Sequence, residues 1–165
     1  MVIWIIGKSG AGKTFLANQL IKIYKKKYKN LILVDGDKFR KKFSRDLGYS
    51  LKERKKNSLR IQKYCKKYDK KKYLVICSIL SLFKTHQKEN RKLFSNYMQI
   101  YIKANSKLLK ERNNKKIYSK KNNVVGKDIP FPTPYKSNMV IKNNFDKEFK
   151  KKNKIIYEKI NEKLY

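Results

Sequence analysis

Acid is what this chain most lacks: 12 Asp and Glu stand against 45 Lys and Arg, a formal charge of +33 over 165 residues. Proline and glycine are scarce too, at three and six, which excludes collagen-like and low-complexity classes. The two cysteines, Cys65 and Cys77, have no metal-ligand spacing and read as free buried thiols of a reducing compartment. No apolar run approaches the roughly 18 residues that a membrane span requires. The opening Met-Val-Ile-Trp-Ile-Ile-Gly has neither a basic leader nor a small-residue cleavage site. Export is therefore not indicated, and a cytoplasmic location is expected. Alanine occurs only at positions 11, 17 and 104, and arginine only six times. Lys, Asn, Ile and Tyr dominate and share A/T-rich codons, so genome composition alone can load the surface with lysine. A selected polyanion partner is the other reading of the charge.

What is present suffices for a fold. The chain is 40% hydrophobic and 13% aromatic, and one domain over 1–165 fits its length. A domain near this size buries roughly 68–70% of its unfolded surface. Short continuous apolar runs, as strands buried on both faces should be, occur at Val2–Ile6, Leu31–Val34, Tyr73–Cys77, Met98–Ile102 and Met139–Ile141. Helical patterns run from Lys13 to about Tyr28, twice between Lys38 and Asp69, and over Lys84–Phe94 and Asn105–Arg112. A terminal amphipathic helix is expected over Phe145–Leu164, with Phe149, Ile156 and Ile160 on one side. Ser50 followed by Glu53 is a capping-box pattern. The stretch from Asn113 to about Tyr135 holds all three prolines and reads as a long loop of the lid type. Alternation of this kind predicts an α/β fold, a five-stranded parallel sheet flanked by helices with right-handed crossovers.

Gly7-Lys8-Ser9-Gly10-Ala11-Gly12-Lys13-Thr14 fits G-x-x-x-x-G-K-[ST] at every fixed position, between an expected strand and an expected helix. In such a loop the backbone N–H groups turn inward to phosphate oxygens, and the helix N-terminus adds positive potential. Lys13 should reach the β- and γ-phosphates of ATP, and the Thr14 hydroxyl should hold Mg²⁺. Asp35-Gly36-Asp37 follows the second strand, where ligands gather in open α/β sheets. The two carboxylates suit metal-water contact and proton acceptance, or else form a plain polar turn. Arg40, Arg54 and Arg60 cluster with Tyr49 and Asn57. Guanidinium forks suit phosphate or sulfate, and a Tyr face suits a base, unless these are solvated helix faces.

With these pieces in order, the chain resembles the adenylylsulfate kinase family of P-loop kinases. The matching segments are Gly7–Thr14; Asp35-Gly36-Asp37-Lys38-Phe39-Arg40; Asp46 to Ser50 with Arg54, Asn57 and Arg60; Ser78-Ile79-Leu80-Ser81; Arg112 to Tyr118; and Gly126 to Phe131. The resemblance implies a three-layer P-loop sandwich with a lid at about 113–135, and a kinase acting on the ribose 3′-hydroxyl of adenylyl sulfate. It implies Asp37 as the base, with Asp35 and Thr14 placing the metal. Arg40, Arg54 and Asn57 would grip the acceptor, with Ser78 and Ile79 beside it. Tyr49 stands at a base-stacking position, Arg112 and Lys115 border ATP, and Ser81 matches a serine that carries a phosphate in some members. A homodimer is implied as well, without membrane or nucleic-acid partners.

The departures gather where the acceptor's base would sit. The family's Ile-Ser-Pro is Leu80-Ser81-Leu82, a carboxylate is replaced by Asn113, and Val124-Val125 stand where a second sandwiching Phe is usual. Such drift is similar to that of the cytidine diphosphoramidate kinases of capsule modification. Adenylyl sulfate is the default acceptor and cytidine diphosphoramidate the alternative. A polynucleotide kinase, or another nucleic-acid-binding P-loop protein, is the remote third.

Overall fold

The computed structural model describes residues 1–112, 122–146, 149 and 153–164. Its strands are β1 (Val2–Ile6), β2 (Leu31–Asp35), β3 (Leu74–Ile79), β4 (Tyr97–Ala104) and β5 (Met139–Asn143). They form one sheet in the order β2-β3-β1-β4-β5, with every neighbouring pair parallel. The described helices are α1 (Lys13–Tyr24), α2 (Gly36–Phe43), α3 (Leu51–Lys70), α4 (Lys84–Leu93), α5 (Ser106–Arg112) and α6 (Asn153–Leu164).

The central strand explains the layering. All five β1 side chains are fully buried, because alternate residues point to opposite faces of the sheet. Ile3 and Ile5 pack with Leu16, Leu20 and Tyr24 of α1 and with Ile156 and Ile160 of α6. Val2, Trp4 and Ile6 pack with Phe39 of α2 and with Ile61 and Cys65 of α3. Each large apolar side chain buried this way contributes roughly 1.5–3 kcal/mol. The result is helix, sheet and helix in three layers.

Several expected boundaries move, each for a local reason. Helix α2 begins at Gly36 rather than Lys38, because the Asp35 side chain accepts from the Asp37 and Lys38 amides and caps it. Helix α1 stops at Tyr24 rather than near Tyr28. Strand β3 runs Leu74–Ile79, so it carries Ser78 inside the sheet. Helix α6 does not start at Phe145: that residue has φ 64°, and its amide donates to Asn143 Oδ1. The capping box is present in full, with Ser50 and Glu53 bonding each other's backbone amides. In the segment after residue 121, Val125 and Ile129 form a bridge and bury against Leu82.

Candidate active site

The chain leaves β1 directly into the glycine loop. A side chain at Gly7 would lie 2.7 Å from the Ile102 carbonyl oxygen, so the approach of β4 excludes any β-carbon there. Gly12 has φ 98°, a left-handed conformation that glycine tolerates. The loop is braced from β5, where Asn143 Nδ2 donates to the Ala11 carbonyl at 3.0 Å. Lys13 Nζ donates to the Lys8 carbonyl at 2.7 Å, which holds the ammonium over the loop, and Lys8 Nζ donates to Ser106 Oγ. Helix α1 then presents its N-terminal amides to whatever the loop encloses.

Asp35 is the hub of the second half. Its Oδ1 accepts from the Asp37 and Lys38 amides, both at 3.1 Å. Its Oδ2 accepts from Thr14 Oγ1 at 2.9 Å and from Ser78 Oγ at 3.1 Å. Burial pushes this carboxyl up, but the two amides and two hydroxyls outweigh burial and hold it below the ordinary aspartate value. Asp35 is therefore an anion at neutral pH, joined to the last residue of the glycine motif. Asp37 is exposed on the first turn of α2 and lines the same cavity.

That cavity is a cleft of about 630 Å³ across the carboxyl ends of β1, β2 and β3. Ser9, Lys13 and Thr14 line one part, Asp35, Asp37, Arg40, Tyr49, Arg54 and Asn57 another, and Ser78 and Ile79 lie between them. The loop and the acidic pair thus share one concavity. Arg40 Nη1 donates to the Leu47 and Gly48 carbonyls. Arg54 donates through Nε to the Tyr49 carbonyl and through Nη2 to the Asn123 carbonyl. Burial and the neighbouring Arg40 charge push Arg54 below its usual value, and Asp37 is among the charges that pull it back. Asn57 is buried, and its Oδ1 has no hydrogen-bond partner among the described residues.

The adenylylsulphate kinase family model matches residues 1–142. The cytidine diphosphoramidate kinase of Campylobacter jejuni is 34% identical over 164 residues, spanning 96% of this chain and 95% of that one. The chain belongs to the adenylylsulfate kinase family. A probable adenylyl-sulfate kinase of Bacillus subtilis is 29% identical over 147 residues, covering 85% of this chain and 75% of that one. The Mycobacterium tuberculosis APS kinase CysC, solved with AMPPNP and APS, shares the fold with a TM-score of 0.85 at 20% identity, over 95% of both chains. The chain is accordingly a nucleotide kinase on a P-loop fold.

The remaining expected positions of this adenylylsulfate kinase family member divide: Ser78, Ile79 and Ser81 line the cleft, and Arg60 and Arg112 do not. Ser78 turns its hydroxyl to Asp35, and Ile79 packs where a side chain on Gly36 would otherwise sit. Arg112 stacks on Phe145 at 4.6 Å and does not line the cleft. Lys115 and Tyr118 lie outside the described residues. Arg60 forks Asp46 through two bonds of 2.6 and 2.7 Å on the exposed surface, away from the cleft. Ser81, with φ 50°, is buried, and its Oγ accepts from the Trp4 indole N–H at 3.3 Å. Sequence reasoning missed the Asn143 brace, because nothing local marks an asparagine 132 residues away as a loop support. It also missed Phe83 and Ser58, which line the cleft.

The donor set suits Mg²⁺. Thr14 Oγ1 and Asp35 Oδ2 are hard oxygens side by side. Among the described residues no cluster of three or more His, Cys, Asp and Glu exists that could hold an ion without help from a substrate. No described helix is long and apolar enough to cross a membrane.

Proposed function

We propose that this protein transfers the γ-phosphoryl group of ATP to the ribose 3′-hydroxyl of a small nucleotide conjugate, with cytidine diphosphoramidate as the acceptor. One observation carries the reaction type: Lys13 and Thr14 share a cleft with Asp35, Asp37, Arg40 and Arg54. Asp37 accepts the proton of the 3′-hydroxyl. The new bond joins that oxygen to the γ-phosphorus while the bond to the β,γ-bridging oxygen breaks and ADP leaves. Lys13 and the α1 N-terminus stabilise the charge that builds on the transferring group. Arg40, Arg54 and Asn57 hold the acceptor's anionic tail and sugar, which fixes the hydroxyl near the phosphorus. Thr14 and Asp35 would hold Mg²⁺, which supplies charge neutralisation to the phosphates.

Two observations support a cytidine acceptor. The lid places buried Val124 and Val125 on the cleft, so no second ring from these positions sandwiches a purine. The Campylobacter relative matches across nearly the full length of both chains. Adenylyl sulfate is the second reading, favoured by the match of the family model. ATP consumption measured with cytidine diphosphoramidate, adenylyl sulfate and a short RNA decides among them. Preference for adenylyl sulfate would reverse the acceptor assignment. Turnover on RNA alone would end the small-acceptor reading. The homodimer implied by the family is checked by light scattering.

A further inference from the structure

The turn between β3 and α4 puts consecutive residues on the cleft wall: Leu80, Ser81, Leu82 and Phe83. Its shape depends on Ser81. That residue is buried with φ 50°, a left-handed backbone that a residue with a side chain keeps only where its surroundings over-determine it. Two side chains do so. The Trp4 indole N–H donates to Ser81 Oγ at 3.3 Å. Gln87 Nε2 donates to the Ser81 carbonyl at 2.8 Å and reaches Oγ at 3.5 Å.

Gln87 lies on α4 and is fully buried. Its other end is also engaged, because Oε1 accepts from the Tyr135 amide at 2.6 Å. A carbonyl only accepts and a backbone N–H only donates, so both ends of this side chain are assigned by their partners. The Tyr135 carbonyl accepts in turn from Gln99 Nε2 of β4 at 2.8 Å. Tyr135 is thus held on both sides of its peptide unit, at the end of residues 122–134. Asn122 to Val125 of that segment line the cleft opposite the turn, and Val125 and Ile129 bury against Leu82. Apolar contact through Leu82 is non-directional and sets no spacing. The buried amide does, because it binds the turn with one end and the close of the segment with the other. Among the described residues, its side-chain hydrogen bonds reach no part of the glycine loop.

We propose that Gln87 is a positioning residue that fixes the Ser81 turn and Tyr135 at one spacing, and so sets the width of the cleft between Leu80–Phe83 and residues 122–125. That this width serves the acceptor rests on the kinase reading; the clamp itself does not. Gln87 touches no reacting atom. It acts on the acceptor through the two walls and leaves the ATP loop alone.

The test uses Gln87→Met, close in volume but without the amide, and Gln87→Glu. Two readouts need no ligand. Trp4 is the only tryptophan, so its indole ¹H–¹⁵N signal reports the Ser81 end, and hydrogen exchange of the Tyr135 amide reports the other. In Gln87→Met the indole signal should move and Tyr135 exchange should quicken at least about tenfold. Gln87→Glu keeps an oxygen for the Tyr135 amide in either protonation state, so it should restore that protection. Kinetics are measured with cytidine diphosphoramidate and with adenylyl sulfate. Gln87→Met should raise the acceptor KM about tenfold and leave the KM for ATP within about twofold of wild type. A residue that only stabilises the fold would lower kcat with the folded fraction and leave both KM values alone. Unmoved indole and Tyr135 signals overturn the clamp. Moved signals with both KM values unchanged, or rising together, overturn the positioning role while the kinase reading stands. If wild type turns over neither acceptor, the kinase reading fails, and the two ligand-free readouts still decide the clamp. If Gln87→Met does not fold, wild type decides: slow exchange of the Gln87 side-chain amide protons upholds the clamp, and rapid exchange overturns it.

Discussion

Asp35 joins the stability of the cleft to its chemistry, and two substitutions separate the roles. Asp35→Ala removes the cap of α2, worth about 1 kcal/mol. It also strips the acceptor from the Thr14 and Ser78 hydroxyls, at about 1 kcal/mol each. Unfolding by urea should therefore show a loss of about 3 kcal/mol, and the thermal midpoint should fall by about 10 °C. Asp35→Asn behaves differently. Asparagine caps as well as aspartate, and the two hydroxyls can rotate to suit an amide. Stability should fall by about 1 kcal/mol or less, yet turnover should drop about a hundredfold because the anion beside Thr14 is gone. Acid supplies the sign check. The folded-state value of this carboxyl is depressed, so its stabilisation is complete above the unfolded value near pH 4 and is lost as pH falls through the lower, folded value. Wild type should lose stability in that acid window more steeply than Asp35→Asn. Normal turnover in Asp35→Asn would refute the metal-placing role, and an unchanged midpoint in Asp35→Ala would refute the capping argument.

Further predictions follow from single contacts. Lys13→Ala and Asp37→Asn should each cut turnover at least about a hundredfold with thermal midpoints near wild type; near-normal turnover in Asp37→Asn removes it as the base. Asn143→Ala unties the glycine loop from β5 and should raise the KM for ATP about tenfold, read in steady-state kinetics at saturating acceptor. Ser50→Ala breaks the capping box and should lower stability by about 1 kcal/mol in urea unfolding, with the acceptor KM rising because Arg54 and Asn57 ride on the first turns of α3. Gly7→Ala drives a β-carbon against the Ile102 carbonyl and should abolish nucleotide binding measured by calorimetry; retained affinity would show that β4 can give way.

Much of this protein is written in local pattern. Two-sided apolar runs determined the inner strands β1 and β3, which are buried throughout, because a parallel strand covered on both faces has no polar positions to alternate. The glycine motif between strand and helix fixed the nucleotide loop, since its chemistry resides in consecutive backbone amides. The Ser50–Glu53 box marked the start of α3, because a cap is a contact between residues three apart. Tertiary structure decided the rest. Only the β2-β3-β1 order brings Asp35 across to Thr14 and Ser78, and a spacing of 21 or 43 residues has no signature in the chain. Arg60 and Arg54 looked alike in sequence, yet one forks a surface aspartate and the other enters the cleft. Which helix face turns inward is settled by packing on the sheet, not by residue type. The approach of the Arg40 and Arg54 guanidinium groups to the Tyr49 ring is likewise a product of the fold, which brings α2 beside the start of α3.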